Sequence, residues 1–342
     1  MKAVRFHRHG GPEVLQYEDA PDPVREGDEV LVRVKACALN RLDIWERLGP
    51  PIVKVDLPHI SGSDVAGVVE EVPASEGDIE KGMEVIVNPG MGCGRCEECL
   101  SGRDNRCRKY AILGEHVDGG YAELVSVPAK NAIPKPDRMD FVQAASVPLV
   151  FLTAYHMLVT KASLQAGETV LVLGAGSGVG SAAIQLAKAY GANVIATAGS
   201  DGKLRKAVDL GADYVINHST QDIIQETKKY TAGRGADVIV EHPGKATWDR
   251  SIRSAARGGR IVTCGATTGY DPVTDLRYIY SKEISIFGSF MGGGGELFRV
   301  LELFKQRRLR PVVDMSYPLA KAAEAQTKME KGEHFGKLVL TV

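Results

Sequence analysis

Four cysteines fall within fifteen residues, Cys93, Cys96, Cys99 and Cys107, in the run GCGRCEECLSGRDNRC with spacing C-x2-C-x2-C-x7-C. Thiolates at that spacing on one loop can close a tetrahedral shell around zinc. Four protein ligands leave no open position for water or substrate, so such a site is structural. A loop of reduced cysteines without metal is the plainer alternative. Cys37 and Cys264 stand apart from the cluster and read as small buried hydrophobes.

A second stretch, residues 169–201, carries a different chemistry: TVLVLGAGSGVGSAAIQLAKAYGANVIATAGSD. An apolar run of strand length (170–173) leads into a turn in which Gly174, Gly176, Gly178 and Gly180 alternate with Ala175, Ser177 and Val179. Ala182, Ala183, Leu186, Ala187 and Tyr190 then recur at helical spacing, Gly191 ends the helix, and 193–198 reads as another strand. Glycines at a strand-to-helix turn let a pyrophosphate approach the backbone, where the first helical N–H groups and the positive end of the helix dipole hold it. The spacing departs from strict GxGxxG, because Val179 takes the third position with Gly178 and Gly180 beside it. A tight turn in some other α/β domain is the alternative.

The elements that must position these residues read as two lobes. The chain has 342 residues, a length for about two domains, with 44% hydrophobic and 25% charged residues. A net charge of −1 gives no reason to expect nucleic acid or an anionic membrane as partner. The opening MKAVRFHRHGG has no apolar signal core and no run of 18 apolar residues occurs, so a cytoplasmic protein is expected. The first 38 residues read as short strands, with Val30, Val32 and Val34 alternating as in a half-buried strand. Further on, ADVIVE (236–241) and RIVTCG (260–265) are apolar runs ending in turns, as expected of buried parallel strands. Ligands bind beyond the carboxyl ends of such strands, which places His242, Pro243 and Gly244, then Gly265, Ala266 and Thr267, at a cofactor. A last strand is expected over 284–288, followed at its carboxyl end by Ser289, Phe290 and Met291. The four glycines 292–295 predict a mobile loop, and 296–308 an amphipathic helix.

The chain resembles the medium-chain dehydrogenase/reductase superfamily over essentially its full length. The resemblance rests on GSDVAGVVEEV, GDIEKGMEVIV, GGYAELVSVPA, AASVPLVFLTAYHML, the glycine turn and GGRIVTCGATTG. It implies an α/β fold: a Rossmann doubly wound parallel sheet (149–289) plus a GroES-like β-rich lobe (1–148 and 290–342), the latter discontinuous and closed by HFGKLVLTV. The four clustered cysteines resemble the structural zinc ligands of zinc-type alcohol dehydrogenases. That family binds a second, catalytic zinc. Where its first cysteine would fall stands Asn40; where its Gly-His-Glu signature would fall stand Gly62, Ser63 and Asp64; and Leu149 or a close neighbour takes the third ligand's place. Amide, hydroxyl and apolar side chains do not make a tight zinc site. One structural zinc per chain and none at the reaction centre is therefore expected, a combination between zinc alcohol dehydrogenases and the zinc-free quinone oxidoreductases, which share the ALN and GSD patterns.

With no catalytic zinc, stabilising an oxyanion falls to hydrogen-bond donors. Asn40 is the first candidate and Ser63 the second, with Asp43 and Asp64 orienting their neighbours. Thr153 resembles the family residue near the nicotinamide, and Leu149, Phe151, Phe290 and Met291 favour a hydrophobic substrate. His59 and His116 read as ordinary hydrogen-bonded histidines. At the end of the second strand, Ala198 stands where NAD-selective members place an acid, which leaves room for a 2′-phosphate. Gly199, Ser200 and Lys203 resemble the phosphate pocket of NADPH-dependent quinone oxidoreductases, with His218 where those enzymes often have tyrosine. Asp201 is open to two readings, ribose ligand or phosphate repellent, and Lys203 is also readable as a solvated first-turn residue. NADP(H) is expected over NAD(H). The resemblance implies hydride transfer between a nicotinamide and a small hydrophobic carbonyl or alcohol, in a homodimer or homotetramer. A zinc-independent quinone or enone reductase and a non-catalytic nucleotide-binding protein are the alternatives.

Overall fold

The computed structural model describes residues 1–51, 53–73 and 78–342; Ile52 and residues 74–77, including Gly77 at the head of the GDIEKGMEVIV motif, lie outside the described residues. In chain order, β1 (Lys2–Arg5), β2 (Gln16–Asp19) and β3 (Glu29–Ala38) precede helix α1 (Arg41–Leu48) and β4 (Asp64–Glu71). Then come β5 (Glu84–Val87), β6 (Gly90–Met91), α2 (Glu97–Leu100), β7 (Ala111–Ile112), β8 (Leu124–Pro128), β9 (Ala132–Pro134), α3 (Phe141–Ala145) and α4 (Pro148–Tyr155). An alternation follows: β10 (Thr169–Val172), α5 (Gly178–Ala189), β11 (Asn193–Ala198), α6 (Asp201–Asp209), β12 (Tyr214–Asn217), α7 (Ile223–Tyr230), β13 (Ala236–Glu241), α8 (Trp248–Ser254) and β14 (Ala255–Thr263). The chain closes with α9 (Leu276–Lys282), β15 (Ser285–Gly288), α10 (Gly294–Lys305), β16 (Val313–Pro318), α11 (Ala322–Glu330) and β17 (Lys337–Thr341). No described helix is long and apolar enough to cross a membrane.

Two compact units result. One comprises Met1–Leu149, Gly293–Leu301 and Pro311–Val342; the other Val150–Gly292 and Glu302–Arg310. This differs from the division at 148/149 and 289/290 expected from sequence, chiefly at residues 302–310. That segment stays with the nucleotide-type unit because ring packing and backbone hydrogen bonds anchor it there. Phe304 packs edge-on to Phe151 with ring centroids 4.8 Å apart. The Arg310 amide donates to Gln185 Oε1 at 2.9 Å, and Gln185 Nε2 donates back to the Arg310 carbonyl at 3.1 Å.

The second unit is a six-stranded parallel sheet in the order β12-β11-β10-β13-β14-β15. Its central strands β10, β11 and β13 are mostly apolar and buried because helices cover a parallel sheet on both faces; Leu171, Ile195, Ile216, Ile239 and Ile261 form the buried centre. Strand order reverses between β10 and β13, the switch point at which doubly wound sheets receive ligands.

The first unit is a β-rich body around a sheet ordered β16-β17-β3-β4-β5-β9, with β8 also paired to β3. All of its pairs are antiparallel except β16 with β17. β3 is the hub. Its alternating Val30, Val32 and Val34 point into a core shared with Val65, Val85, Val127 and Leu338.

Helix α1 buries an unusual face on this body: Asp43, Glu46 and Arg47, one helical turn apart, are fully buried together with Ile44. Arg47 is paired with Glu330 and donates to Gln326 Oε1 at 2.7 Å. Asp43 accepts from Tyr121 Oη at 2.8 Å and from the Asn40 amide at 2.8 Å. Burial pushes the Asp43 carboxyl up to about 6 despite those bonds. Burial raises Glu46 further, and the neighbouring Asp43 and Glu115 charges add to the rise, with Ser61 giving partial relief. A carboxyl raised in the folded state keeps its proton after the unfolded chain has released one, so stability falls as pH climbs above the ordinary glutamate value. The limit is about 1.4 kcal/mol per pH unit for one proton. Glu46→Gln removes that proton linkage. Thermal melts between pH 5 and pH 8 should show the variant gaining on the native chain as pH rises; a melting difference independent of pH contradicts a neutral buried Glu46.

Candidate functional site

Sheet register brings three chemistry-bearing residues to one end of the β-rich unit. Ala38 at the end of β3 lies opposite Asp64, the first residue of β4, and opposite Val339 of β17. Asn40 follows β3 and Lys337 opens β17, so Asn40, Asp64 and Lys337 converge. Lys337 Nζ donates to Asn40 Oδ1 at 2.6 Å and to Asp64 Oδ2 at 2.8 Å. Asn40 Nδ2 donates to the same Asp64 oxygen at 3.0 Å. The other Asp64 oxygen accepts from the Leu149 amide at 2.8 Å. Lys337 is 3% exposed and Asp64 0%. Such a pair persists in a low-dielectric site because each charge compensates the other and the remaining lone pairs are hydrogen-bonded.

This geometry revises the roles expected from sequence. Asn40 was expected to offer its amide N–H groups to an oxyanion, but Nδ2 is directed to Asp64 and Oδ1 to the ammonium. Ser63 is fully buried next to Asp64, and its Oγ has no hydrogen-bond partner among the described residues. Asp43 braces Tyr121 and the start of α1. Phe151, expected to line a substrate pocket, is core, buried against Phe304. His59 bonds the Gly114 carbonyl at 2.7 Å, and His116 Nδ1 accepts from the Ile112 amide at 3.1 Å, so both are structural. Lys337 is a site residue that sequence reasoning missed, since it stands there only within the closing segment HFGKLVLTV.

The surroundings of Asp64 do not fit a second zinc. An amide, a hydroxyl and leucine stand where soft ligands would be needed, and the carboxylate already holds an ammonium. The four clustered cysteines do fit one. Tetrahedral zinc with bonds near 2.3 Å spaces its sulfurs roughly 3.8 Å apart. Here the Sγ atoms all lie within 4.8 Å of one another, with Cys96–Cys99 at 3.5 Å and Cys93–Cys99 at 4.0 Å. Backbone amides point at the sulfurs, Cys93 N to Cys107 Sγ at 3.5 Å and Lys109 N to the same atom at 3.3 Å. Hydrogen bonds from Arg95 and Cys96 pull the Cys93 thiol down to about 6, and those from Cys93 and Lys109 lower Cys107. Burial pushes the Cys99 thiol the other way, up to about 12, so it is the sulfur geometry that fits a metal.

In the other unit the glycine turn follows β10 and Ser177 caps α5, its Oγ accepting from the Gly180 amide at 2.9 Å. The first-turn amides of Gly178 and Val179 have no intrahelical acceptor by helix geometry, and both residues are half-buried. Gly180 supplies the close packing that the motif's third glycine normally provides, since a Cβ there would lie 2.3 Å from the Gly174 carbonyl. Gly176 lies within the same turn, between Gly174 and Ser177. His242, just past β13, sits beside the turn, with Nε2 2.8 Å from the Leu173 carbonyl and 3.2 Å from Ser177 Oγ. Burial pushes it down to about 4, so it stays neutral. Gly265, Ala266 and Thr267 follow the carboxyl end of β14, and Ser289 and Phe290 that of β15. Ser289 Oγ is buried with no partner among the described residues, as a hydroxyl awaiting a ligand would be. Phe290 is 56% exposed, whereas Thr153 is buried in α4. These residues fit a dinucleotide.

Beyond β11, Ser200 precedes α6 and makes no side-chain capping bond. Asp201 is engaged, accepting from Asn217 Nδ2 at 2.7 Å. His218 is lowered by burial and then by the positive charges of Arg250 and Lys203, which marks this corner as electropositive. Arg250, in α8, was not anticipated. A Cβ on Gly199 would come within 3.0 Å of His218 Nε2, so only glycine passes there without displacing the ring.

Comparison with known proteins agrees with this architecture. Residues 26–137 match the alcohol dehydrogenase GroES-like domain family, and 178–306 the zinc-binding dehydrogenase family. The human quinone oxidoreductase is 32% identical, with 99% of this chain and 97% of that protein covered. An NAD-dependent alcohol dehydrogenase of Sulfurisphaera tokodaii is 34% identical, covering 99% of each. A crystal structure described as an NAD-dependent alcohol dehydrogenase superposes over the whole of both chains with a TM-score of 0.96 at 46% identity. The chain thus belongs to the medium-chain dehydrogenase/reductase superfamily, as an NAD(P)-dependent oxidoreductase of zinc-type alcohol dehydrogenase build.

Proposed function

We propose that this oxidoreductase transfers hydride between NADPH and a hydrophobic ketone, aldehyde or alcohol with no metal at its reaction centre, and carries one structural zinc on Cys93, Cys96, Cys99 and Cys107. The observation that carries the reading is the buried Lys337 ammonium, fixed by Asn40 and Asp64 where a catalytic metal would need its ligands. The bound dinucleotide supplies the hydride, which requires the reacting atoms to come within roughly 3–3.5 Å. The protein's part is to stabilise negative charge on the substrate oxygen. Ser63 Oγ is the hydroxyl left to donate, and the Lys337 charge, undiluted by water, lowers the energy of the oxyanion. Asn40 and Asp64 orient that ammonium.

NADPH is favoured over NADH in this reading because Ser200, Lys203, His218 and Arg250 gather at the end of β11, while Asp201 is drawn aside by Asn217. Charge-assisted hydrogen bonds of this kind contribute about 1.5–3 kcal/mol each. Lys203→Ala and Arg250→Ala should each weaken NADPH binding about 10- to 100-fold and leave NADH binding within about twofold, measured by nucleotide fluorescence titration. Equal loss for both nucleotides contradicts a 2′-phosphate site.

The reaction itself is tested by NADPH oxidation with cyclohex-2-enone and identification of the product. The allylic alcohol is expected. The saturated ketone overturns the reading in favour of an enone or quinone reductase, and bound NADPH with no product in favour of a binding protein. Lys337→Met alone should cost about 3–5 kcal/mol of stability by stranding the Asp64 charge. Paired with Asp64→Asn, it should recover most of that stability while kcat stays down about 100- to 1000-fold. Recovery of kcat together with stability assigns Lys337 a purely structural role.

A further inference from the structure

The glycine run 292–295 is not the mobile loop its composition suggests. It is the surface against which the cysteine loop packs. Asp104, between ligands Cys99 and Cys107, accepts from the Gly294 amide through Oδ1 at 2.8 Å. Its own carbonyl accepts from the Cys107 amide at 2.9 Å, so one residue is bonded both to a ligand and to the start of α10. A Cβ on Gly293 would lie 2.4 Å from the Gly102 carbonyl, and one on Gly294 3.1 Å from Asn88 Nδ2. On the loop side, a Cβ on Gly92 would lie 2.9 Å from Cys99 Sγ and equally close to Asp104 Cβ. Neither Gly293 nor Gly294 has a left-handed backbone. Glycine is needed at these places for close approach. The α10 end is completed by Glu296 Oε2, which accepts from the Gly293 amide at 2.8 Å. Immediately upstream, Met291 holds φ at +49°, a strained value for a residue with a side chain, and is nonetheless buried.

From this geometry we infer that Asp104 is a positioning residue through which the four-cysteine loop holds the start of α10, and with it residues 289–291, in the conformation that receives the nicotinamide. The coupling runs from metal to Cys107, through Asp104 to Gly294, and along a few bonds of backbone to Ser289 and Phe290. It rests, for its last step, on the reading of Ser289 and Phe290 as cofactor contacts. Loss of the metal lets the loop relax, withdraws the Asp104 acceptor and frees the glycines, whose backbone then has little to restrain it. A site with no open coordination position thereby acts on cofactor affinity.

Amide hydrogen exchange at residues 293–297, measured on the full chain without cofactor, reads the coupling directly. Asp104→Ala should accelerate exchange there at least tenfold while metal analysis still finds one zinc per chain, and Asp104→Asn, which keeps an acceptor, should restore most of the protection. Gly293→Ala approaches the contact from the other side, leaves every ligand in place and should show the same acceleration, which covers the case of an Asp104→Ala chain that fails to fold. Stripping zinc from the native chain with a mercurial and a chelator should reproduce the pattern. Native exchange in both zinc-loaded variants, or in the stripped protein, overturns the inference. The NADPH dissociation constant should rise about tenfold in the same variants. Fast exchange with an unchanged constant leaves the coupling standing and removes residues 289–291 from the cofactor site.

Discussion

A buried ammonium facing a buried carboxylate is the constraint on which the β-rich unit is built. Lys337 and Asp64 lie at the ends of strands that must be in register on either side of β3, and a one-residue slip of either would strand a charge in the interior. The pair therefore selects a single strand arrangement while it creates a positive site. Asn40 takes part in both functions. Its backbone amide helps start α1 through Asp43, and its side chain ties the ammonium to the carboxylate. In the reading proposed above, the charge that a catalytic metal would supply comes instead from the C-terminal strand of the chain itself.

The nucleotide-type unit relies on neutral contacts instead. Its glycine turn is braced by His242, which burial keeps uncharged, and by the Ser177 cap, so the charge at the turn comes from backbone dipoles. Side-chain cations are kept for the end of β11, where Lys203 and Arg250 act together on His218. The division is physically sensible. Backbone amides hold a pyrophosphate common to both dinucleotides, whereas discrimination between them needs side chains at the one place where they differ.

The parts of this molecule that were legible in the sequence are local. The four cysteines lie on one loop, and the strand, turn and helix around Gly174–Gly180 are contiguous, so spacing alone shows what they can do. Lys337 could not be found that way, because it is 297 residues from Asn40 and only the pairing of β17 with β3 joins them. Arg250 reaches the β11 corner from α8 by the same kind of non-local route. Elsewhere the fold departs from what residue type suggests. Glu46, with Asp43 and Arg47 on the same helical face, has the pattern of a solvated stripe yet is fully buried. The glycines before α10 suggested freedom, whereas Gly293 and Gly294 serve close contact with the cysteine loop. Composition reports what a residue permits, and the neighbour that uses it comes from elsewhere in the chain.

The central claim is that the protein's own ammonium, and no metal, provides the charge at the Asn40, Asp64 and Lys337 centre. Zinc counted per chain by elemental analysis on purified, turning-over protein tests it most directly. The account requires one equivalent, abolished by replacing Cys107 with serine and unaffected by Asp64→Asn. A second equivalent that disappears in the Asp64→Asn variant would contradict it.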